Sequence, residues 1–241
     1  MVSTTATNEP PTDVGIRRWR QPLICCDSVW EENYARFETP EQEIRKFIRR
    51  FRQLGASDWP ADARILDLFC GRGNGLKALE RLGFRRLEGV DLSERLLDQY
   101  SGPAQLYVGD AGDLKLGDAC IDIVVVQGGL HHLPALEKDL ERVLSEIQRV
   151  LKTEGRFILV EPWDTLFLKL IHLLCRQKIL CRAWRKLGAL AAMIEREREN
   201  YFHWLNRPQF VLNAFSKFFV PELRHTSWGK LKFVGRKSIN L

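Results

Sequence analysis

The stretch ILDLFCGRGNG, residues 65–75, decides the fold of this 241-residue chain. An apolar run typical of a buried strand leads directly into three glycines, and a helical segment follows over residues 76–82. Alternate glycines let the backbone bend sharply and let a ligand lie against main-chain N–H groups, and a helix N-terminus attracts an anion. The stretch therefore predicts a nucleotide-cofactor turn between a strand and a helix.

The residues after this turn narrow the choice of cofactor. Asp91 ends the apolar run of residues 87–90, at the spacing of a carboxylate that binds the ribose of an adenosine. A dinucleotide site would show the same carboxylate. Its glycine pattern differs, because G-x-G-x-x-G requires a third small residue where this chain has Leu76. The turn and Asp91 thus indicate an adenosine without naming the molecule that carries it.

The following segments repeat the order strand, turn, helix. A short strand is predicted over 105–108 and closes at Gly109-Asp110, and 121–126 is a continuous apolar run, as in a strand buried on both sheet faces. An amphipathic helix is predicted over 136–151, and a further strand over 157–161. This repetition predicts an α/β fold in which helical crossovers connect parallel strands.

Five blocks of this region carry a resemblance to a known family. In chain order they are LDLFCGRGNG, GVDLS, GDAGDL, IDIVVVQGGLHHLP and EIQRVLKTEGRFILVEPW, within residues 60–162. Together they resemble the class I S-adenosylmethionine-dependent methyltransferases, in particular the small-molecule enzymes that include the quinone C-methyltransferases. Phe69-Cys70 is bulkier than usual, and Thr153-Glu154-Gly155 replaces the typical Lys-Pro-Gly-Gly turn. The resemblance implies a Rossmann-like, doubly wound sheet, mostly parallel with an antiparallel last strand, and a helical lid.

The resemblance also implies S-adenosylmethionine as cofactor and S-adenosylhomocysteine as product. Asp67 and the glycine turn would match the zwitterionic methionine part, Asp91 would hold the ribose, and Asp110 would accept from the adenine amine. Gln127 and Gly128 would border the sulfonium. The residues expected to contact the cofactor are Asp67, Phe69, Gly71, Gly73, Gly75, Asp91, Leu92, Asp110, Ala111, Gln127 and Gly128.

Catalysis of methyl transfer needs few dedicated groups. The reaction is an in-line displacement with an activated leaving group, so alignment can supply about 7–11 kcal/mol of the barrier. Where the acceptor loses a proton, His131 is the first candidate base, because the ordinary pKa of histidine lies in the working range. His203 is a second candidate. Glu161 would either orient the substrate or bond to the following loop, and packing roles stay open for all three.

The chain is predicted to have five parts. They are a disordered tail over 1–15, an N-terminal helical cap over 16–60, the cofactor-binding core over 61–162, a helical substrate lid over 163–222 and a terminal β-hairpin over 223–241. The tail lacks the apolar core of a secretion signal. Thr39-Pro40-Glu41-Gln42 is a capping box that opens a helix, and a preceding helix is predicted over 27–37. Its Trp30 and Tyr34 would cover the cofactor or pack on the sheet.

The lid separates the last two strand signals from the core. Its first apolar run, residues 165–174, is about half the ~20 residues that a bilayer span requires, so a transmembrane helix is not expected. The closing hairpin is predicted to have strands over 223–228 and 231–234.

Positive charge is concentrated in the last third of the chain. The protein has a net charge of +6, and residues 163–241 carry 15 basic and 5 acidic side chains. Lys178, Arg182, Arg185 and Lys186 would meet an anionic substrate, a phospholipid surface or nucleic acid, or would form a solvated helix face. A lipid-like or anionic acceptor therefore becomes a specific hypothesis.

The six cysteines do not form a C-x-x-C pair, and their spacing does not predict a zinc site or any other metal site. Disulfides are not expected either, since the protein is predicted to be cytoplasmic.

Two other classes of function stay open beside a small-molecule methyltransferase. The basic last third suggests a nucleic-acid methyltransferase acting on RNA, but residues 127–130, Gln-Gly-Gly-Leu, match neither the Asn/Asp-Pro-Pro-aromatic nor the Pro-Cys motif of such enzymes. The other class is a scaffold protein that binds the cofactor without catalysis. A nicotinamide oxidoreductase is a less favoured function than these. The sequence identifies neither the acceptor molecule, nor the atom methylated, nor the oligomeric state.

Overall fold

The computed structural model describes residues 15–21 and 28–237, and these form an eight-stranded sheet with helices on both faces. In chain order the strands are β1 (Ile16–Arg18), β2 (Arg64–Leu68), β3 (Arg86–Asp91), β4 (Gln105–Val108), β5 (Ile121–Gln127), β6 (Leu151–Pro162), β7 (Phe219–Ser227) and β8 (Lys230–Lys237). They lie side by side in the order β1-β4-β3-β2-β5-β6-β8-β7. Strand β8 is antiparallel to β6, β7 is antiparallel to β8, and the other pairs are parallel. The predicted mostly parallel, doubly wound sheet is confirmed.

The helices of the described residues are, in chain order, α1 (Ser28–Phe37), α2 (Pro40–Gln53), α3 (Asn74–Arg81), α4 (Glu94–Leu97), α5 (Leu136–Val150), α6 (Leu166–Cys175), α7 (Lys178–Ala183), α8 (Arg185–Arg196), α9 (Arg198–Leu205) and α10 (Pro208–Phe218). The predicted capping box opens α2, since Gln42 N donates to Thr39 Oγ1 and Thr39 N donates to Gln42 Oε1, both at 3.3 Å. Helices α6 to α10 form the lid region between β6 and β7. None of the helices in the described part is long and apolar enough to cross a membrane.

The sheet buries side chains on both faces. Successive residues of a strand point to opposite faces, so Ile65 of β2 joins the core formed with α2 and α3, whereas Leu66 joins the core formed with α5, α9 and α10. Ile123 and Val124 of β5 divide in the same way. This double burial explains why these strands are apolar without alternation.

Three elements differ from the sequence prediction. Strand β6 begins at Leu151 instead of 157, because Leu151 pairs with Ile121 of β5. The pairing register then shifts before Ile123 pairs with Arg156, and Glu154, within the shifted segment, has φ 63°. Strand β7 begins at Phe219, because β8 is long enough to pair Lys237 with Phe219. Residues 16–18, placed in a helical cap, form a strand on β4 that is too short to show a pattern.

The strand order reverses beside β2: strands β3 and β4 lie on one side of β2, and strands β5 and β6 lie on its other side. In sheets of this type the carboxyl ends of the strands on either side of the reversal border a ligand cleft. The chain segments that leave β2, β3, β5 and β6 all meet at this edge, and they carry the residues singled out from the sequence.

Candidate active site

A cavity of about 1250 Å³ lies at this edge of the sheet. Its floor is formed by the turns after β2, β3 and β5, and its walls by α1 and α2 on one side and by α6, α8 and α9 on the other. A second cavity of about 240 Å³ adjoins it and shares Phe69, Asp91 and Leu92. Single-ligand pockets measure about 300–1,000 Å³, so the large cavity has room for a cofactor and an acceptor together.

The glycine turn is shaped by positive φ angles and by packing. Gly71 has φ 53° and Gly73 has φ 75°, and the non-glycine residue Phe69 has φ 57°. Gly71 lines the large cavity, whereas a Cβ at Gly73 would lie 2.3 Å from the ring of Tyr100. Gly73 is therefore required by the positive φ of the turn and by its packing against Tyr100. It does not itself line the cavity.

Asp67 and Gly75 form a tight pair at the base of the cavity. A Cβ at Gly75 would lie 2.3 Å from Asp67 Oδ2, so only glycine leaves room for this carboxyl group. Burial, together with the charges of the nearby Asp91 and Glu43, raises the pKa of Asp67 to about 8. A buried carboxyl with acidic neighbours is a site that a cation would occupy favourably.

Asp91 holds the turn in place. Its Oδ2 accepts a hydrogen bond from Gly71 N and its Oδ1 accepts one from Ser93 N, both at 2.8 Å. Burial raises the pKa of Asp91, and the two backbone donors oppose this effect. Because a carboxylate has about four acceptor sites, Asp91 can still accept from a ribose at the border of the two cavities.

Asp110 and Ala111 line the smaller cavity. Asp110 Oδ1 accepts from Gly112 N at 2.8 Å, and Oδ2 accepts from Arg142 Nη1 at 3.0 Å and from Arg20 Nη1 at 3.3 Å. The contact of Asp110 with adenine stays a prediction, and its carboxylate is shared with two guanidinium groups, which the sequence pattern did not indicate.

Glu43 of α2 organises a polar group that the sequence reasoning missed. Its Oε2 accepts from Asn74 Nδ2 at 2.8 Å and lies 3.5 Å from Arg72 Nη2, and its Oε1 accepts from the Tyr34 hydroxyl. The Arg72 guanidinium also lies over the Tyr34 ring, 4.6 Å from its centroid. A signal existed, since Glu43 falls within the apolar stripe that α2 buries. Tyr34 thus lines the cavity as one of the two expected cap residues, and the side chain of Trp30 lies outside the described residues.

His131 and Glu161 form a buried pair in which only the histidine borders the cavity. His131 Nδ1 lies 2.7 Å from Glu161 Oε2, and Glu161 Oε1 accepts from Gly129 N at 2.7 Å and from Leu130 N at 2.8 Å. Burial lowers the pKa of His131, as does His132, although Glu161 opposes the shift. Burial alone would raise the pKa of Glu161, but His131 and the two backbone donors outweigh it and lower that pKa. Glu161, fully buried, is therefore a positioning residue that fixes the loop and the histidine.

His203 does not belong to this site. It lies on the outer side of α9, where its Nε2 is 2.9 Å from Glu137 Oε1, and it does not border the cavity. The prediction of His203 as a base is therefore wrong, because the helix turns that side chain away from the cleft. His131, His132 and Glu197 form the one group in the described chain whose potential metal-ligand atoms lie within 4.8 Å of one another. The expectation of no metal site stays a prediction.

Two cations from distant parts of the chain meet in the cavity wall. Arg50 Nη1 approaches Gln127 Oε1 at 3.5 Å. Lys230, at the start of β8, has its pKa lowered to about 7 by burial, with a further contribution from Arg50. Lys46 lies nearby and is paired with Glu38 and Glu43. The sequence reasoning missed all three, and it assigned anion contact to lid cations, of which only Lys186 borders the cavity.

The polar side chains of the cavity match the polar groups of S-adenosylmethionine. Asp67 offers a carboxyl to an ammonium, and Gly75 leaves space beside it. The Nε group of Arg72 and the Nε2 group of Gln127 are buried and have no hydrogen-bond acceptor among the described residues, and Arg72 Nη2 has only the 3.5 Å ion pair with Glu43. Donors of this kind fit the carboxylate and other oxygens of the methionine and ribose parts. The residues present fit the cofactor.

Comparisons with known proteins agree with this geometry. A family model described as a methyltransferase domain matches residues 66–159. Demethylmenaquinone methyltransferase of Thermotoga maritima is 31% identical over 102 residues, which are 41% of this chain and 43% of that protein. The ubiquinone/menaquinone biosynthesis C-methyltransferase of Rubrivivax gelatinosus is 34% identical over 121 residues, 48% of this chain and 45% of that protein. The chain thus spans less than half the length of these curated relatives.

Solved structures share the fold over more of the chain. The PH0226 protein of Pyrococcus horikoshii has a TM-score of 0.66 at 21% identity and covers 88% of this chain and 100% of its own. The geranyl diphosphate C-methyltransferase of Streptomyces coelicolor, in complex with Mg²⁺, geranyl diphosphate and S-adenosyl-L-homocysteine, has a TM-score of 0.57 at 14% identity and covers 82% of this chain and 78% of its own. At these identities the likeness concerns the fold. The match shows a methyltransferase domain over residues 66–159, and S-adenosylmethionine is the cofactor that the site fits.

Proposed function

We propose that the protein methylates a small organic acceptor that has an apolar body and an anionic group. The observation that carries this proposal is the composition of the large cavity, which has room beyond the cofactor, an apolar lid wall and a pair of cations. S-adenosylmethionine supplies an activated methyl group when bound. The chain's own residues must then bind the acceptor, align it and exclude water.

The lid wall supports an apolar acceptor. Helix α6 contributes Leu168 and Ile171 to the cavity, and α8 contributes Leu187, Leu190 and Met193. Burial of apolar surface is worth about 25 cal/mol per Å², so a ring or an alkyl chain in contact with this wall would be held without polar contacts. The two quinone-directed relatives described above have names that agree with such an acceptor.

Arg50 and Lys230 support an anionic group on the acceptor. Burial lowers the pKa of both side chains, although the charge of Glu38 opposes the shift in each case. Among the described residues, no ion pair joins either of them to a carboxylate within 4.0 Å. An anion placed between them would restore the pKa values and gain charge-assisted hydrogen bonds.

His131 supports removal of a proton from the acceptor. Glu161 accepts from Nδ1, which leaves Nε2 as the ring nitrogen with a free lone pair. Because its pKa is lowered, the imidazole is neutral at pH 7 and can take a proton. This step applies to an acceptor hydroxyl or ammonium, whereas the alignment described above applies to any acceptor.

The proposal is tested by incubating the protein with an isotopically labelled methyl donor and a fractionated metabolite and lipid extract, and by identifying labelled products by mass spectrometry. Labelled amphipathic anions are expected. Label in RNA alone would contradict the proposal and favour the nucleic-acid alternative, and cofactor binding without any labelled product would favour a scaffold.

The identified acceptor then allows a test of the cation pair. Lys230→Met and Arg50→Met should each lower kcat/KM by roughly ten- to hundredfold, the loss of one charge-assisted hydrogen bond. Lys232→Met is the matched control, because Lys232 lies on the same strand but bonds to Gln53 at 2.6 Å and does not border the cavity. Equal effects of Lys230→Met and Lys232→Met would exclude a specific role for Lys230.

A further inference from the structure

The outer face of the lid exposes an unusual amount of apolar surface. Helix α6 has the sequence LFLKLIHLLC and contains no buried residue. The six most exposed large apolar side chains of this region, here called the apolar lid face, are Leu166, Leu170, Leu173, Ile179, Trp184 and Trp228. Leu166, Ile179 and Trp228 are 86%, 81% and 76% exposed. Contiguous apolar exposure on this scale marks a binding surface for another molecule or a membrane.

The apolar lid face is a continuous surface. Helices α6 and α7 contact each other, and both contact α8, at whose N-terminus Trp184 lies. The rings of Phe167 and Trp228 meet edge to face, with centroids 5.1 Å apart, which joins α6 to the turn between β7 and β8. By their spacing, Leu166, Leu170 and Leu173 share one face of α6, and Trp228 adjoins this helix through Phe167.

Basic side chains surround this face. Between residues 163 and 194 the chain has six basic residues, Lys169, Arg176, Lys178, Arg182, Arg185 and Lys186, and one acidic residue, Asp164, which lies 3.0 Å from Lys169. All six basic residues are exposed or half-buried. Two copies of this face brought together would oppose like charges, which disfavours self-association. A partner with a uniform negative surface and an apolar interior fits both properties.

The face also borders the large cavity, which Trp184 and Trp228 line. Phe167, Trp184 and Trp228 line the cavity and are 39%, 57% and 76% exposed to solvent. Tryptophan is favoured at the boundary between water and lipid, because its ring is apolar and its N–H is polar. A molecule leaving a lipid surface at this point would enter the cavity directly.

We infer that the apolar lid face docks on the surface of an anionic phospholipid bilayer, and that the acceptor enters the cavity from that bilayer. The second part rests on the proposed function, whereas the first part does not. Helices of this type lie in the interface with their apolar side chains among the acyl chains and their Lys and Arg side chains at the headgroups. The six basic residues between 163 and 194 would thereby lie at the headgroups.

Docking is measured by co-sedimentation of the full chain with vesicles, without methyl donor or acceptor. The chain should bind vesicles of phosphatidylcholine with phosphatidylglycerol, bind pure phosphatidylcholine far less, and release with added salt. The double variant Lys178→Gln with Arg182→Gln should weaken partition by roughly thirtyfold. Ile179→Glu should abolish binding, and circular dichroism checks that each variant is folded.

The matched controls lie on β7, away from the lid. Val220→Glu changes an exposed apolar residue and Arg224→Glu an exposed cation, and both should bind vesicles as the original chain does. Absence of binding at low salt, or an equal loss in the controls, would overturn the inference. So would a wild-type dimer that Ile179→Glu converts to monomer, since the face would then cover a second copy. Vesicle binding without methyl transfer would refute only the proposed function, and methyl transfer to a water-soluble acceptor without vesicle binding would refute only the docking.

Discussion

Asp67→Asn provides the sharpest test of the cofactor site. The carboxyl of Asp67 has an ordinary pKa of 3.8 and a pKa of about 8 in the folded protein, mainly because it is buried. This difference corresponds to roughly 6 kcal/mol against the charged form. At pH 7 a group with this pKa is about nine-tenths protonated. An ammonium group bound beside it stabilises the carboxylate, so cofactor binding should release close to one proton.

The assay is calorimetry of S-adenosylmethionine binding at pH 7 in phosphate and in Tris, whose ionisation enthalpies differ. The dependence of the heat on the buffer gives the number of protons, which should be about 0.9 for the original chain at pH 7 and about half at pH 8. Asp67→Asn should release none and should bind roughly ten- to hundredfold more weakly. Methylthioadenosine, which lacks the ammonium, is the control ligand and should release no proton from either protein.

The same substitution changes the pH dependence of stability in the absence of cofactor. The pKa of Asp67 is higher in the folded protein than in the unfolded chain. Its contribution to the free energy of unfolding is therefore fully present below about pH 4 and is lost as the pH rises to about 8. The loss amounts to about 1.4 kcal/mol per pH unit within this window. Asp67→Asn has no proton to lose, so the difference in unfolding free energy between variant and original chain should grow from pH 5 to pH 8. A buffer-independent heat of binding together with parallel stability curves would refute the assigned role of Asp67.

Three further predictions concern residues around the cavity. His131→Ala should lower turnover by roughly 10²–10⁴-fold with little change in cofactor affinity, and unchanged turnover at saturating acceptor would remove it from the mechanism. Glu161→Gln should move the acidic limb of the kcat profile to lower pH, because Glu161 raises the pKa of His131, whereas Glu137→Gln should leave the profile in place. Gly75→Ala should abolish cofactor binding measured by calorimetry while the fold persists, because its Cβ would lie 2.3 Å from Asp67 Oδ2, and normal affinity would show that the carboxyl moves aside freely.

The geometry of the glycine turn could be predicted from the sequence because local backbone rules determine it. Gly71 needs its positive φ to form the turn, Gly75 needs to lack a side chain, and Asp91 must end a strand beside that turn. Each requirement acts within one strand-turn-helix unit or between two consecutive units, so each is visible in the order of residues. The parallel strand order follows from the same units, since each crossover returns the chain to the same edge of the sheet.

The acceptor half depends on contacts that local patterns do not contain. His203 and His131 both looked suitable by residue type, and only the orientation of α9 separates the exposed one from the buried one. Glu161 occupies the predicted strand end, but its carboxylate accepts from two backbone N–H groups of the neighbouring loop and does not reach the cavity. The role of Glu161 thus follows from the partners of its two oxygens, which the order of residues does not contain.

The cation pair shows why such a site escapes sequence reasoning. Arg50 lies on α2, and Lys230 begins the strand that inserts, antiparallel, between β6 and β7. That insertion pairs Lys230 with Pro162, at the carboxyl edge where the parallel strands end. Had β8 run parallel to β6, Lys230 would lie at the opposite edge and could not meet Arg50. Hence the direction of one strand, which no residue of β8 encodes by itself, determines whether Lys230 and Arg50 line the same cavity.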